Sequence, residues 1–334
     1  MKKIVYILCL TLVSFSCKSV NANSKSFGKV IEVSSSDQLQ HALNTAKAGD
    51  VIEISNGIYM GNFVIPTTAN GTLEKPITLR GSSKVILNGT TINTGYVLHL
   101  QASYWIIKGF TITNGLKGLM CDGGNYNLID GLTVNSIGEE AIHFRKFSSN
   151  NTLQNCIITN TGLKTPDYGE GIYIGTAVSN WSKYTNGLED KCDSNKIFNN
   201  MLGPNITAEC IDVKEGTTGA IIRGNKFNST GITGANSGDS WMDIKGNGNL
   251  IEDNTGFNPN GSVLKDGFQV HCAVAGWGND NIFKNNNCDV NADGYGINIT
   301  LKGSKGEAKG NVVFENNIVK GAQKGISNIT LTKE

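Results

Sequence analysis

The chain has 334 residues, 41 of them glycine, with 29 basic against 28 acidic side chains. A balance this close to neutral leaves no basic field for nucleic acid. Beyond the N-terminus no apolar run reaches the roughly 18 residues that a membrane-spanning helix needs.

The chain opens Met1-Lys2-Lys3 and then runs apolar over residues 4–15. That is the charged and hydrophobic pattern of a secretory signal. Ser14-Phe15-Ser16-Cys17 resembles a bacterial lipoprotein cleavage site, while Val20-Asn21-Ala22 offers an ordinary one. The expected organisation is a signal over residues 1–17, a polar tether over 18–30 and one domain over 31–334. An exported protein follows, held at the outer membrane or cell surface by a lipid on Cys17, or otherwise periplasmic or secreted. That lipid is the one membrane contact expected, and the domain is expected to be a monomer.

Within residues 37–47, Leu39, Ala42, Leu43 and Ala46 share one helical face, with Ser35 or Ser36 as N-cap and Gly49 as the stop. After this helix, short runs alternate with period two, at residues 97–100, 141–144, 210–213, 267–270 and 296–299. Such runs close on Gly109, Gly131, Asn155, Asn200, Asn225, Asn254, Asn286 and Asn317, separated by 22, 24, 45, 25, 29, 32 and 31 residues. Apolar residues stand three places before most of them: Ile106, Leu128, Ile197, Ile222, Ile251, Phe283 and Phe314. A period of about 20–50 residues is the signature of a solenoid. The short β-branched runs make it an all-β, parallel β-helix, and the helix would cap its open end. Recurrent Asn at one corner can pass side-chain hydrogen bonds from coil to coil. The interval of 45 is two coils, or one coil with a long insertion. A β-sandwich is the alternative, but two-residue hairpin turns do not separate the runs.

The segment after the helix carries Gly49-Asp50, Ile52, Ile54, Gly57 and Tyr59, then Gly71-Thr72, Pro76-Ile77 and Leu79-Arg80. This opening resembles the right-handed parallel β-helix polysaccharide lyases and is most similar to the chondroitinase-B and alginate lyase family. The specific match covers residues 32–80, and the generic coil pattern extends it to about residue 320. The resemblance implies a right-handed solenoid, export, and an acidic polysaccharide as partner and substrate.

Aligning the coils on strand phase produces an outward column: His99, Met120, His143, Tyr173, Asp212, Asp243, Gln269 and Asn298. Two residues on, the same face reads Gln101, Asp122, Arg145, Gly175, Lys214, Lys245, His271 and Thr300. Three residues before the first column lie Glu140, Glu170, Glu209, Ser240 beside Asp239, and Asp266. An acidic strip therefore runs beside a basic one.

A β-eliminating lyase must neutralise the uronate carboxylate, remove the neighbouring proton and protonate the leaving oxygen. Ca²⁺ suits the first task, with Glu209, Asp212, Asp239, Asp243 and Asp266 as candidate ligands. Lys214 and Lys245 fall about 5 Å apart on adjacent coils, where mutual repulsion would favour one neutral lysine. Lys214 is then the expected base. Arg223, Arg145 and His143 are candidates for stabilising the carboxylate or serving the leaving group, and His271 is a further acid. The family resemblance implies a Glu-x-Glu calcium motif, a lysine base and an arginine about one coil later. Glu209, Asp212, Lys214 and Arg223 follow that order, with the carboxylates three positions apart rather than two.

Residues 164–193 interrupt the coil rhythm and hold Pro166, Tyr168, Trp181 and Tyr184. Glu170, Tyr173, Trp181, Trp241 and Trp277 are the candidate sugar-binding residues of the groove. Cys121, Cys156, Cys192, Cys210, Cys272 and Cys288 contain no C-x-x-C and are expected as buried free thiols. The expected function is polysaccharide cleavage by β-elimination. A glycoside hydrolase on the same scaffold and a non-catalytic glycan-binding surface protein are the alternatives. Against the former, the Asn-Thr-Asp, Asp-Asp and Gly-His-Gly signatures of β-helix polygalacturonases are absent.

Overall fold

The computed structural model describes residues 28–259 and 263–333. The expected signal, the expected lipidation at Cys17 and the expected tether up to residue 27 lie outside the described residues. Three parallel sheets of 11, 10 and 10 strands run the length of a right-handed β-helix, each coil contributing a strand to each sheet. Among the described residues no helix is long and apolar enough to cross a membrane.

The Ser36–Thr45 helix caps the first coils as its periodicity predicts. Ser35 is the N-cap, accepting from the Gln38 amide, and Leu39, Ala42 and Leu43 are buried. Gln40 adds a seal that its polarity did not advertise. Its Nε2 donates to Val64 O at 2.8 Å and its Oε1 accepts from Val64 N at 2.9 Å. One side chain thereby satisfies a residue of the first strand of its sheet, Phe63–Ile65.

Coil-to-coil register depends on one corner, where two consecutive positions do different work. The first takes left-handed backbone: Gly109, Gly131, Asn155, Asn199, Gly224, Asp253 and Asn285 have φ between 55° and 90°. The second holds an amide ladder. Asn200 N donates to Asn225 Oδ1, Asn225 N to Asn254 Oδ1 and Asn254 N to Asn286 Oδ1, at 2.9, 2.9 and 3.1 Å. The expected closing column mixes these positions. Gly109, Gly131 and Asn155 belong to the first, and Cys156 N is the group that donates to Asn200 Oδ1. That one-residue offset explains why Ile106 and Leu128 are only half-buried while Ile107 and Ile129 are fully buried. A second amide ladder links Asn127, Asn151 and Asn195.

The interval of 45 residues is a single coil with an insertion, because Thr152–Gln154 pairs directly with Lys196–Phe198. The core between the sheets is apolar and includes Cys121, Cys156, Cys192, Cys210 and Cys288. All six cysteines of the described residues are free and buried, as expected. Trp241 is wholly buried, stacked near Phe227 and edge-on to Phe268. It fits because Gly256 lacks a Cβ, which would lie 2.3 Å from the indole ring.

Asn225→Ala tests the ladder. It leaves the Asn200 amide groups without their buried acceptor, a loss of roughly 2–4 kcal/mol for two hydrogen bonds. Chemical denaturation should show that drop, whereas an unchanged midpoint would mean that the ladder adds nothing to stability.

Candidate active site

Strands of the other two sheets alternate buried and more exposed residues, as in Leu128–Asp130 and Thr133–Asn135. In the sheet that starts at Phe63–Ile65, Ile142–Arg145, Ile211–Val213, Met242–Ile244 and Phe268–Val270 are buried at every position. Their outward side chains form the floor of a cleft. One wall joins Pro166–Tyr168 to Ala235–Ser237, with Asn236 Nδ2 donating to Asp167 O at 3.2 Å. The other is the rest of the insertion, which contains Trp181–Tyr184. Buried Asp190 anchors it, accepting from Thr176 Oγ1 at 2.6 Å and from the amides of Lys146 and Phe147.

The phase-aligned column is present in the paired register. His99 pairs with Met120, Met120 with His143, His143 with Tyr173, Tyr173 with Asp212, Asp212 with Asp243, Asp243 with Gln269 and Gln269 with Asn298. Asp212 is the hub of the charged part. Its Oδ2 lies 2.5 Å from Lys214 Nζ, and its Oδ1 3.0 Å from Lys245 Nζ. Lys245 also meets Asp243 Oδ2 at 2.5 Å, and Asp243 Oδ1 lies 2.7 Å from His271 Nδ1. Burial works to lower the pKa of both lysines, but Asp212 raises them above the usual lysine value. Lys214 does act to lower Lys245, as expected, but Asp212 and Asp243 outweigh it, so the expectation that one lysine becomes neutral is overturned because a carboxylate lies between the two ammoniums. Against burial, Lys245 and His271 hold Asp243 well below the carboxylate range, and Asp243 raises His271.

Glu170 and Glu209 stand beside this hub. Each offers an oxygen that, with one from Asp212, forms a group within 4.8 Å. Burial, then Asp212, pushes Glu209 up to about 8. Burial, then Glu140, Asp212 and Glu209, pushes Glu170 well above its usual value. Glu170 Oε2 is buried without a hydrogen-bond partner. Three carboxylates with an orphaned oxygen fit a hard divalent cation, whose binding would displace these protons. Of the five expected ligands, only Glu209 and Asp212 belong to this group, and Glu170 completes it. Asp243, held by Lys245 and His271, does not bring an oxygen into this group. Asp239 holds Lys265 at 2.5 Å, and Asp266 accepts from the Tyr295 amide at 2.6 Å, so both are spent further along the face.

Tyr173 separates this cluster from a second pocket. Lys214 Nζ lies 4.8 Å from its ring centroid, and the His143 ring packs against it at a 55° tilt with centroids 4.4 Å apart. Burial, then Asp212, holds the phenol well above its normal pKa. His143 Nε2 must donate to Gly175 O at 2.8 Å. Its Nδ1 faces Glu140 Oε1 at 3.5 Å, an ion-pair distance too long for a good hydrogen bond. Arg145 is clamped by Asp122 at 2.6 and 3.0 Å and lies 4.1 Å from the Tyr184 ring centroid. Lys117 pairs with Glu139 and Glu140. Against burial, His143 and Lys117 hold Glu140 down at about 2.

Four expected residues fall outside the cleft floor. Arg223 ends Ile221–Arg223 in a different sheet and pairs with Glu252 there. Trp241 turns into the core. Trp181 is nearly buried and donates to Thr176 O at 2.7 Å, so it buttresses the insertion while Tyr184 of the same turn faces Arg145. Trp277 is half-buried, with its N–H on Glu189 Oε1 at 3.3 Å, and ties the loop after Phe268–Val270 to the insertion. Sequence reasoning missed Lys117 and Glu139 in the pocket lining, and Asp122 and Tyr96 as the partners that hold Arg145, although Asp122 stood in the aligned basic strip.

Comparison with known proteins gives a consistent result. The family model described as "Pel9A-like, right handed beta helix region" matches residues 19–162. No curated protein matches the chain. The chain is similar to the crystal structure of an alginate lyase from Paenibacillus sp. str. FPU-7, at 37% identity and a TM-score of 0.79, covering 90% of this chain and 99% of that one. It shares its fold with a rhamnogalacturonan lyase, at 13% identity, TM-score 0.62 and coverages of 91% and 87%. The same holds for pectate lyase Pel9A, at 14% identity, TM-score 0.57 and coverages of 85% and 80%.

Asp212→Asn tests the hub. Removing the charge between Lys214 and Lys245 should lower both lysine pKa values, since a close opposite charge moves a pKa by about 1–3. Amine-reactive labelling at mildly alkaline pH, read by peptide mass spectrometry, should then speed up roughly ten-fold or more at both sites. Equal labelling in variant and wild type would remove Asp212 from this role.

Proposed function

The chain belongs to the right-handed parallel β-helix polysaccharide lyases, and on that premise we propose that it cleaves alginate by β-elimination. The observation that carries the reading is the Lys214–Asp212–Lys245 array beside Tyr173 on a cleft floor. Alginate is the substrate class of the relative that shares 37% identity and is covered over 99% of its length.

The roles follow from charge. The Lys245 ammonium, with Lys214 while it is charged, offsets the uronate carboxylate and makes the adjacent C5 proton more acidic. Neutral Lys214 takes that proton. Because Asp212 keeps Lys214 protonated, the reactive fraction grows as pH rises. The Tyr173 hydroxyl is held above its usual pKa, so it remains a proton donor for the glycosidic oxygen over the same range. His143 orients Tyr173 by packing against its ring at a tilt and is itself held by Gly175 O and Glu140. Arg145 and Tyr184 bound the neighbouring sugar position.

Glu170, Glu209 and Asp212 would hold a divalent cation, with calcium favoured by their oxygen donors. Bound there, it would add positive charge opposite the uronate carboxylate. Its presence is testable apart from activity. Calcium should raise the melting temperature of the wild type, and Glu209→Gln should abolish that rise. Equal melting with calcium and with chelator would remove the cation from the proposal.

The lyase itself is tested by the ultraviolet absorbance of the unsaturated product on alginate. Wild type should show it, and Lys214→Ala and Tyr173→Phe should each lose about 10²–10⁴-fold in kcat. Arg223→Ala should keep the wild-type rate. The rate should climb into the alkaline range, and Asp212→Asn, if it retains activity, should begin that climb at lower pH. Reducing ends without the absorbance would mean a hydrolase.

A further inference from the structure

The same face of the solenoid carries a larger cavity beyond the reacting cluster, about 740 Å³, against about 280 Å³ for the pocket at Asp212. Its floor includes Asn298, the continuation of the column through Asp212, Asp243 and Gln269. Here amides replace the carboxylates. Asp266 is saturated by the Tyr295 amide, Gln269 Nε2 and Asn298 Nδ2 at 2.6, 3.0 and 2.9 Å. With its Nδ2 donating to Asp266, Asn298 leaves its Oδ1 as the acceptor of this lining residue. Lys265 is already paired with Asp239.

Lys324 is different. Its backbone is tied down, the amide donating to Gly294 O at 3.0 Å. Its side chain is exposed and makes no salt bridge among the described residues, its ammonium lying 5.7 Å from the Tyr295 ring centroid. The cavity thus combines one uncommitted cation, an amide acceptor and an apolar wall at Val263, while the Asp293 carboxylate at its edge accepts from Gln323 Nε2 at 2.6 Å. Those three features suit the carboxylate, a hydroxyl and the C–H face of one uronate ring.

We propose that this cavity is a distal subsite for a uronate residue of the polymer being cleaved, with Lys324 reading its carboxylate. The proposal rests on the lyase reading above. From the coil of Lys214 to the strand Gly325–Ser327 beside Lys324 there are four strand steps, or about 19 Å. Only a chain several sugars long can reach from one to the other, so the subsite makes the enzyme prefer long substrates.

The test compares an alginate polymer with di- and trisaccharides of uronate. Lys324→Ala should raise KM for the polymer about two- to ten-fold, the scale of one partly exposed charged contact, without changing kcat. Lys324→Glu should raise it further, and neither variant should alter the rate on the short substrates. An equal loss on long and short substrates, or no loss on the polymer, overturns the subsite. Should the wild type cleave no uronate polymer, the lyase reading fails by itself. Affinity electrophoresis in alginate then decides the subsite separately: weaker retention of Lys324→Glu supports it, and equal retention overturns it.

Discussion

Parallel in-register stacking is the constraint from which the rest of this molecule follows. Each coil lies about 4.8 Å above the last, so a side chain at a given phase faces its equivalent on both neighbours. On the core side this produces columns of apolar residues, and at one corner a ladder of asparagines. On the cleft side it forces titratable groups into columns at a spacing where like charges cannot all remain charged. The protein meets this in two ways. Along the Glu140, Glu170 and Glu209 column, lysine and histidine keep Glu140 ionised while burial favours protons on the other two. Between Lys214 and Lys245, each Asp212 oxygen takes one ammonium.

That arrangement links structure to chemistry. A uronate polymer brings its own column of carboxylates along the cleft, so the floor must present positive charge without collapsing under its own repulsion. The lysines do so because Asp212 and Asp243 compensate them from the side. The same compensation raises the lysine pKa values and, with burial, that of Tyr173. Base and acid are thereby displaced in the same direction, which keeps the pair matched as pH changes. The insertion over residues 164–193 is set on this floor through buried Asp190 and brings Tyr184 to Arg145.

Much of this was legible in the chain because a parallel stack preserves phase. The outward column from His99 to Asn298 reads off the alternation and reappears residue for residue in the paired strands. The cap helix and the buried thiols were legible for the same reason, since both depend on local pattern. Phase does not say which of three sheets a run belongs to, so Arg223 was placed a corner away from where it lies. Nor does it say which way a residue at the mouth of a strand turns. Trp241 goes inward because a distant glycine, Gly256, leaves space for its ring. The lysine pair was visible, but the position of the Asp212 oxygens between the two ammoniums was not, and that position reverses the sign of their pKa change. Gln40 was unreadable because its role, sealing Val64, depends on where the helix packs.

The central claim is that Lys214 and Tyr173 flank the bond that breaks. A crystal structure of Tyr173→Phe with a bound alginate tetrasaccharide tests it most directly. The account predicts a uronate carboxylate against Lys245, its C5 carbon facing Lys214 Nζ and its glycosidic oxygen within hydrogen-bond reach, about 2.7 Å, of the position vacated by the Tyr173 hydroxyl. A sugar chain lying elsewhere on the solenoid, or crossing the cleft with its carboxylates turned away from both lysines, would contradict it.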